Sequence, residues 1–216
     1  MKKIMAAVLA TLLVLSLTFV FVACSEKDPD PTPTPNPGGD TTGVDSTISD
    51  EALKNILGTG KLYVTTIGQA NDYKQVGNLL TSANGLGMDA STITIDNKLT
   101  AADVEDGSTV IIAVGNSAKG LGDAGVSVAD ETARADAFIA KKDSINLIVT
   151  HTGGTGRRGE SSDPIIQKMF AAAKVAMYTT AGNADGKLAV FAAGVPHYEY
   201  SGLAKMIASF KFLLGK

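Results

Sequence analysis

Ser108-Thr109-Val110-Ile111-Ile112-Ala113-Val114-Gly115 is almost wholly apolar, rich in β-branched side chains, and ends on a glycine. A strand with one wet face alternates apolar and polar residues; an unbroken apolar run marks a strand covered on both faces. Double cover comes from helices crossing between parallel strands, so this segment predicts an α/β architecture. The texture recurs on either side. INLIVTH (145–151) reads as the next buried strand, LYVTTIG (62–68) as an earlier one, STITI (91–95) as a short β-branched one, and VAMYTT (175–180) as a fifth.

Helical spacing fills the gaps. Val76, Leu79, Leu80 and Ala83 follow Asp72 and Gln75, which read as a capping pair. Residues 130–142 open on acids and close on Lys141 and Lys142, charges that suit a helix dipole. Asp163 reads as the cap of a helix with Pro164 first and an inner face of Ile165, Ile166, Met169, Phe170 and Ala173. Leu203, Met206, Ile207, Phe210, Leu213 and Leu214 outline a closing amphipathic helix. Residues 187–200 fit either a hairpin strand or a short helix followed by a strand at His197–Tyr200; the helix preserves the alternation. Near the start, Ser49 reads as the cap of a short helix in which Ile48 packs on Leu53, ended by Gly58 or Gly60. The expected fold is α/β: an open, doubly wound, mostly parallel sheet of five to six strands with helices on both faces, flavodoxin- or Rossmann-like.

Such sheets bind ligands beyond the carboxyl ends of their strands, where the winding reverses. The loops after the first, third and fourth strands are therefore the ones to read. They are Gly68-Gln69-Ala70-Asn71-Asp72, GNSAKGLGDAG (115–125) and HTGGTGRRGESSDP (151–164). Glycines let backbone N–H groups converge on an anion. Lys119, Arg157 and Arg158 add full charge, and an arginine fork takes two oxygens of a carboxylate or phosphate. The candidate ligand-binding residues are Gly68, Gln69, Asn116, Ser117, Lys119, Gly120, His151, Gly153, Gly154, Arg157, Arg158 and Ser162. The bland alternative is tight turns with surface ion pairs to Glu160, Glu131 or Asp163.

Sharper motifs fail on context. Gly154, Gly156 and Gly159 match G-x-G-x-x-G, but after the fourth strand rather than the first, and the helix starts too late. Gly115 and Gly120 have phosphate-loop spacing, yet Leu121 stands where a lysine is required. Gly115-Asn116-Ser117-Ala118-Lys119 approaches a nucleophile elbow and misses its last glycine. Ser117 with His151 as base is the enzymatic alternative, a serine/histidine hydrolase without a visible acid. His197 reads as a solvated edge histidine.

Taken together, these loops resemble a family of bacterial lipoproteins classed as a domain of unknown function. In that pattern a third strand leads into G-G-S-S-K-G-L-G-x-x-G and then E-x-x-R on a helix; a fourth leads into H-x-G-G-x-x-R-R-G-x-x-S-D. Gly115, Ser117, Lys119, Gly120, Leu121, Gly122 and Gly125 fit the first, with Asn116 and Ala118 departing. Glu131 and Arg134 fit the helix; His151, Gly153, Gly154, Arg157, Arg158, Gly159, Ser162 and Asp163 fit the last. The likeness spans residues 60 to 200 or so, implies the open α/β sandwich, and carries no activity.

The amino terminus supplies an address. Lys2 and Lys3 precede an apolar run from Ile4 to Ala23 that ends at Cys24, the chain's only cysteine. This predicts a lipoprotein signal peptide over 1–23 and palmitate-type lipid on Cys24. Residues 24–47, with five of the seven prolines, read as an extended tether, and 48–216 as one domain. The expected location is the extracytoplasmic side of a bacterial cell membrane. A lipidated Cys24 leaves no thiol chemistry, and two histidines are too few for a histidine-rich metal cluster, so no metal or cofactor is expected. Without residues 1–23 the chain has 17 basic against 22 acidic residues, which argues against nucleic acid. The expected role is non-enzymatic capture of a small anionic solute for a membrane transporter or sensor; an accessory lipoprotein docking a protein is the other alternative.

Overall fold

The computed structural model describes residues 44–216. The expected signal peptide, Cys24 and most of the tether lie outside the described residues. Six parallel strands form one sheet: β1 (Leu62–Ile67), β2 (Ile93–Ile95), β3 (Thr109–Val114), β4 (Asn146–His151), β5 (Val175–Thr179) and β6 (His197–Tyr200). Their order is β2-β1-β3-β4-β5-β6, so the winding reverses between β1 and β3. The doubly wound α/β sheet expected from the sequence is the one observed, and all of its pairs are parallel.

Six helices cover it: α1 (Asp72–Thr81), α2 (Ala118–Ala124), α3 (Val128–Ala140), α4 (Asp163–Ala172), α5 (Lys187–Phe191) and α6 (Ile207–Leu213). Residues of β1 and β3 alternate between two apolar layers, and every one of them is buried. Val64, Ile111 and Met177 face α1 and α6 through Val76, Leu80, Phe210 and Leu213. Val110, Ile112 and Val149 face α3, α4 and α5 through Phe138, Met169, Phe170 and Leu188. Each such large side chain contributes about 1.5–3 kcal/mol by leaving water. The ambiguous stretch resolves into α5 followed by β6, because a parallel sixth strand needs a crossover between it and β5.

Several local expectations change. The first turn is a 3-10 turn, Glu51–Leu53, capped by Asp50 accepting from Ala52 N rather than by Ser49. Residues 115–125 contain α2, whose ends are set by Ser117 at the N-cap and by left-handed Gly125 (φ 69°). Asp72 and Gln75 are not a capping pair: the cap position is Asn71, without a side-chain cap hydrogen bond, and Asp72 turns inward. The closing helix begins as a 3-10 turn over Leu203–Met206.

Chain contacts with the sheet begin before Ile48. Asp45 N donates to Glu199 O on β6 at 2.8 Å, and its carboxylate accepts from Ser201 N at 2.7 Å. Ser209 on α6 then ties three segments together. Its Oγ accepts from Ile48 N at 3.1 Å and from the Tyr200 hydroxyl at 2.7 Å.

Candidate functional site

The turn after β1 is built for close approach. Gly68 has φ +90°, and a Cβ on it would strike the Gly115 carbonyl, so only glycine fits. Its N–H donates to Glu131 Oε2 at 2.6 Å. Gln69, also left-handed at φ 59°, donates through Nε2 to Glu131 Oε1 at 3.1 Å and accepts from Asn97 Nδ2 at 2.9 Å. Glu131 is only 2% exposed and is balanced by Arg134, which also holds the carbonyls of Thr66 and Leu99. Gly68 and Gln69 thus meet their hydrogen-bonding needs inside the molecule, with Glu131 as their anchor.

After β3, Asn116 N donates to Arg157 O at 2.9 Å and Asn116 Nδ2 to Ser161 Oγ at 2.8 Å. These bonds lock the third loop to the fourth. Ser117 Oγ accepts from Gly120 N at 3.1 Å, serving as a helix cap. A Cβ on Gly120 would strike the Gln69 backbone, so this glycine is a packing requirement. The Lys119 side chain is 87% exposed and pairs with Asp123 at 3.1 Å.

After β4, the arginine pair divides. Arg158 is the internal clamp, its side chain 4% exposed. It donates to Asp163 Oδ2 at 3.0 Å, Asp185 Oδ1 at 2.6 Å and Gly182 O at 2.9 Å, and lies over the Phe191 ring. Asp163 accepts from Arg158 and from Gly159 N at 3.0 Å instead of capping α4 with its carboxylate. Ser162 is buried, its hydroxyl donating to Gly159 O at 3.3 Å. Arg157, half-buried at the end of the 3-10 turn Thr155–Arg157 that starts beyond Gly154, has a guanidinium with no hydrogen bond or ion pair among the described residues. Of the three cations expected at this edge, Lys119 pairs with Asp123 and Arg158 with Asp163 and Asp185, the ion-pair alternative in the case of Arg158 and Asp163.

A different residue stands beside Arg157. Asp72 is 3% exposed, and its Oδ2 has no hydrogen-bond partner among the described residues. Two glycines make room for it. A Cβ on Gly115 would lie 3.4 Å from Asp72 Oδ2 and 3.3 Å from Arg157 Cβ. One on Gly153 would lie 3.1 Å from the same oxygen and 2.5 Å from Arg157 Cγ. Burial pushes the Asp72 carboxyl above its usual range, against the pull of Arg157 and His151.

His151 completes the group. Its ring is fully buried, and Nδ1 donates to Val114 O at 2.8 Å, which leaves Nε2 as an acceptor without a partner. A Cβ on Gly182 would lie 3.0 Å from that nitrogen. Burial holds the imidazole below its usual pKa, so it stays neutral at pH 7. No hydrogen bond joins Ser117 to His151: the Ser117 hydroxyl caps α2 and the His151 ring donates to Val114 O. An adjoining shallow cleft, with room for about one water, runs from Gly115 and Asn116 to Glu131, Ser161 and Ser162 over apolar walls from Leu121, Val128 and Ile165.

The structure thus gathers His151, Gly153 and Arg157 at the winding reversal and adds Asp72. Sequence reasoning passed over Asp72 because an acid at the start of a helix reads as a cap. Its place in the turn after β1, at the reversal, was the available signal. Among the described residues no cluster of His, Cys, Asp and Glu could hold a metal ion, and no helix is long and apolar enough to cross a membrane. No curated protein and no solved structure shows significant similarity to the chain. Residues 59–211, from just before β1 into α6, match a domain of unknown function, DUF6305, and the chain belongs to that family.

Proposed function

We propose that the protein is a lipid-anchored, extracytoplasmic domain that captures a small anionic solute at the carboxyl end of its sheet for a membrane transporter or sensor. The observation that carries this reading is Arg157, whose half-buried guanidinium feels the buried Asp72 carboxyl but makes no hydrogen bond or ion pair among the described residues, while Lys119 and Arg158 pair with local acids. A planar fork in that position offers two parallel N–H donors to a carboxylate or phosphate, and charge-assisted bonds of this kind are about twice as strong as neutral ones. The location agrees with where doubly wound sheets hold ligands. The anchor rests on Lys2, Lys3, the apolar run to Ala23, and Cys24.

Thermal unfolding of the full chain against phosphate, sulfate and small carboxylates tests the capture. An anion present at about 100 times its Kd adds about 2.7 kcal/mol to stability, a rise of several degrees. The rise should vanish in Arg157→Ala; a panel in which no anion shifts the wild type rejects the reading. Cys24→Ser should move the protein from the membrane to the soluble fraction.

A further inference from the structure

Granting the capture reading just given, we propose that the solute carries a hydrogen-bond donor next to its negative group, as α-hydroxy and α-amino acids do. Arg157 takes the carboxylate and Asp72 takes the donor.

The polar groups around Asp72 are unevenly matched. Arg157 offers donors and a positive charge. Asp72 Oδ2 and His151 Nε2 offer acceptors, both on residues more than nine-tenths buried. A solute with only an anionic group matches the guanidinium and leaves both acceptors unsatisfied. It also sets its own charge against the Asp72 carboxylate. A solute that adds a hydroxyl or ammonium group matches the donor-poor side as well. Charge agrees for one of the two classes: with Asp72 ionised, the Arg157–Asp72 pair sums to zero, which suits a zwitterion better than a bare anion, while a hydroxy acid gains by its hydroxyl donor alone. A divalent cation is the wrong complement, because Arg157 repels it and the cluster offers too few ligands.

Access follows from the glycines. The Arg157 stem already packs on bare backbone at Gly153 and the His151 ring does so at Gly182, where a Cβ would collide with Arg157 Cγ or His151 Cδ2 at 2.5 Å. A solute group reaches Asp72 Oδ2 only by displacing that stem. Arg157 covers the oxygen: its Cβ lies against Gly115 and its Cβ and Cγ against Gly153, the two glycines that face Asp72 Oδ2. A carboxylate that draws the guanidinium outward opens the way to that oxygen, and a side chain makes such a rotamer change within nanoseconds.

L-alanine, L-lactate and propionate share a three-carbon skeleton and differ in the donor, so they serve as probes. Calorimetric titration of the detergent-solubilised full chain should show L-lactate or L-alanine binding at least about tenfold tighter than propionate, since a site lined by buried acceptors discriminates strongly against an analogue without the donor. Asp72→Asn should weaken L-alanine and strengthen propionate, bringing the two within about threefold. Wild-type ranking stands as a test even if that variant folds poorly. Propionate binding as tightly as the other two, or an unchanged ranking in a folded D72N, overturns the inference and leaves anion capture intact. So does binding of phosphate or sulfate, dependent on Arg157, with none of the three probes bound. Silence towards every anion overturns both.

Discussion

A carboxyl group sealed from water with one oxygen short of a donor weakens the fold that contains it. Asp72 is in that position, and the sign of its effect is definite. Its folded pKa lies above the unfolded value, so the folded state holds the proton more tightly. The associated stability is fully present below the unfolded pKa of 3.8 and is lost as pH rises through the folded value. Asp72→Asn should therefore raise the melting midpoint at pH 7, with the gap from wild type closing below the unfolded value. Wild type and variant melting together across the whole range would contradict this account. A group kept at a cost to stability, beside a guanidinium that makes no hydrogen bond among the described residues, is what a binding site looks like at the level of one side chain.

Among the elements, the fourth loop carries most of the information and hides it best. Adjacent arginines in a sequence look equivalent. Here Arg157 ends a 3-10 turn and Arg158 leaves it extended (φ −120°, ψ 166°), so one lies over Asp72 and the other reaches Asp163 and Asp185. Arg158→Ala should cost about 3–5 kcal/mol in urea unfolding, because it strands the partly buried Asp163 carboxylate, whereas Lys119→Ala should change stability by less than about 0.5 kcal/mol. Equal effects would show that Arg158 is no more of a clamp than Lys119. The strands were legible because unbroken apolar runs such as TVIIAV and NLIVT have one reading in an alternating chain. The segment that became α2 was not, since Gly120 and Gly122 lower helix propensity and only Ser117 and Gly125 mark its ends. The site was half legible: glycines and an arginine at the reversal can be read, but which side chains neutralise one another is settled by packing.

At the scale of the whole molecule, the two ends of the domain hold each other. Ser209 on α6 accepts from Ile48 N and from the Tyr200 hydroxyl, and Asn55 N donates to Phe212 O at 3.3 Å. Burial pushes the Tyr200 phenol well above its ordinary pKa, so it remains a donor across the physiological range. Ser209→Ala leaves two buried donors unmatched and should cost about 2–4 kcal/mol, read as a lower urea midpoint with an unchanged slope. A loss below about 0.5 kcal/mol would mean that the junction is not a structural clasp. The Ile48–Ser209 bond spans 161 positions, so this layer belongs to the slowest class of contacts a chain makes. The Ile48 amide meets its acceptor only once α6 is in place, so the layer that joins the two ends of the domain closes after every strand of the sheet has been made.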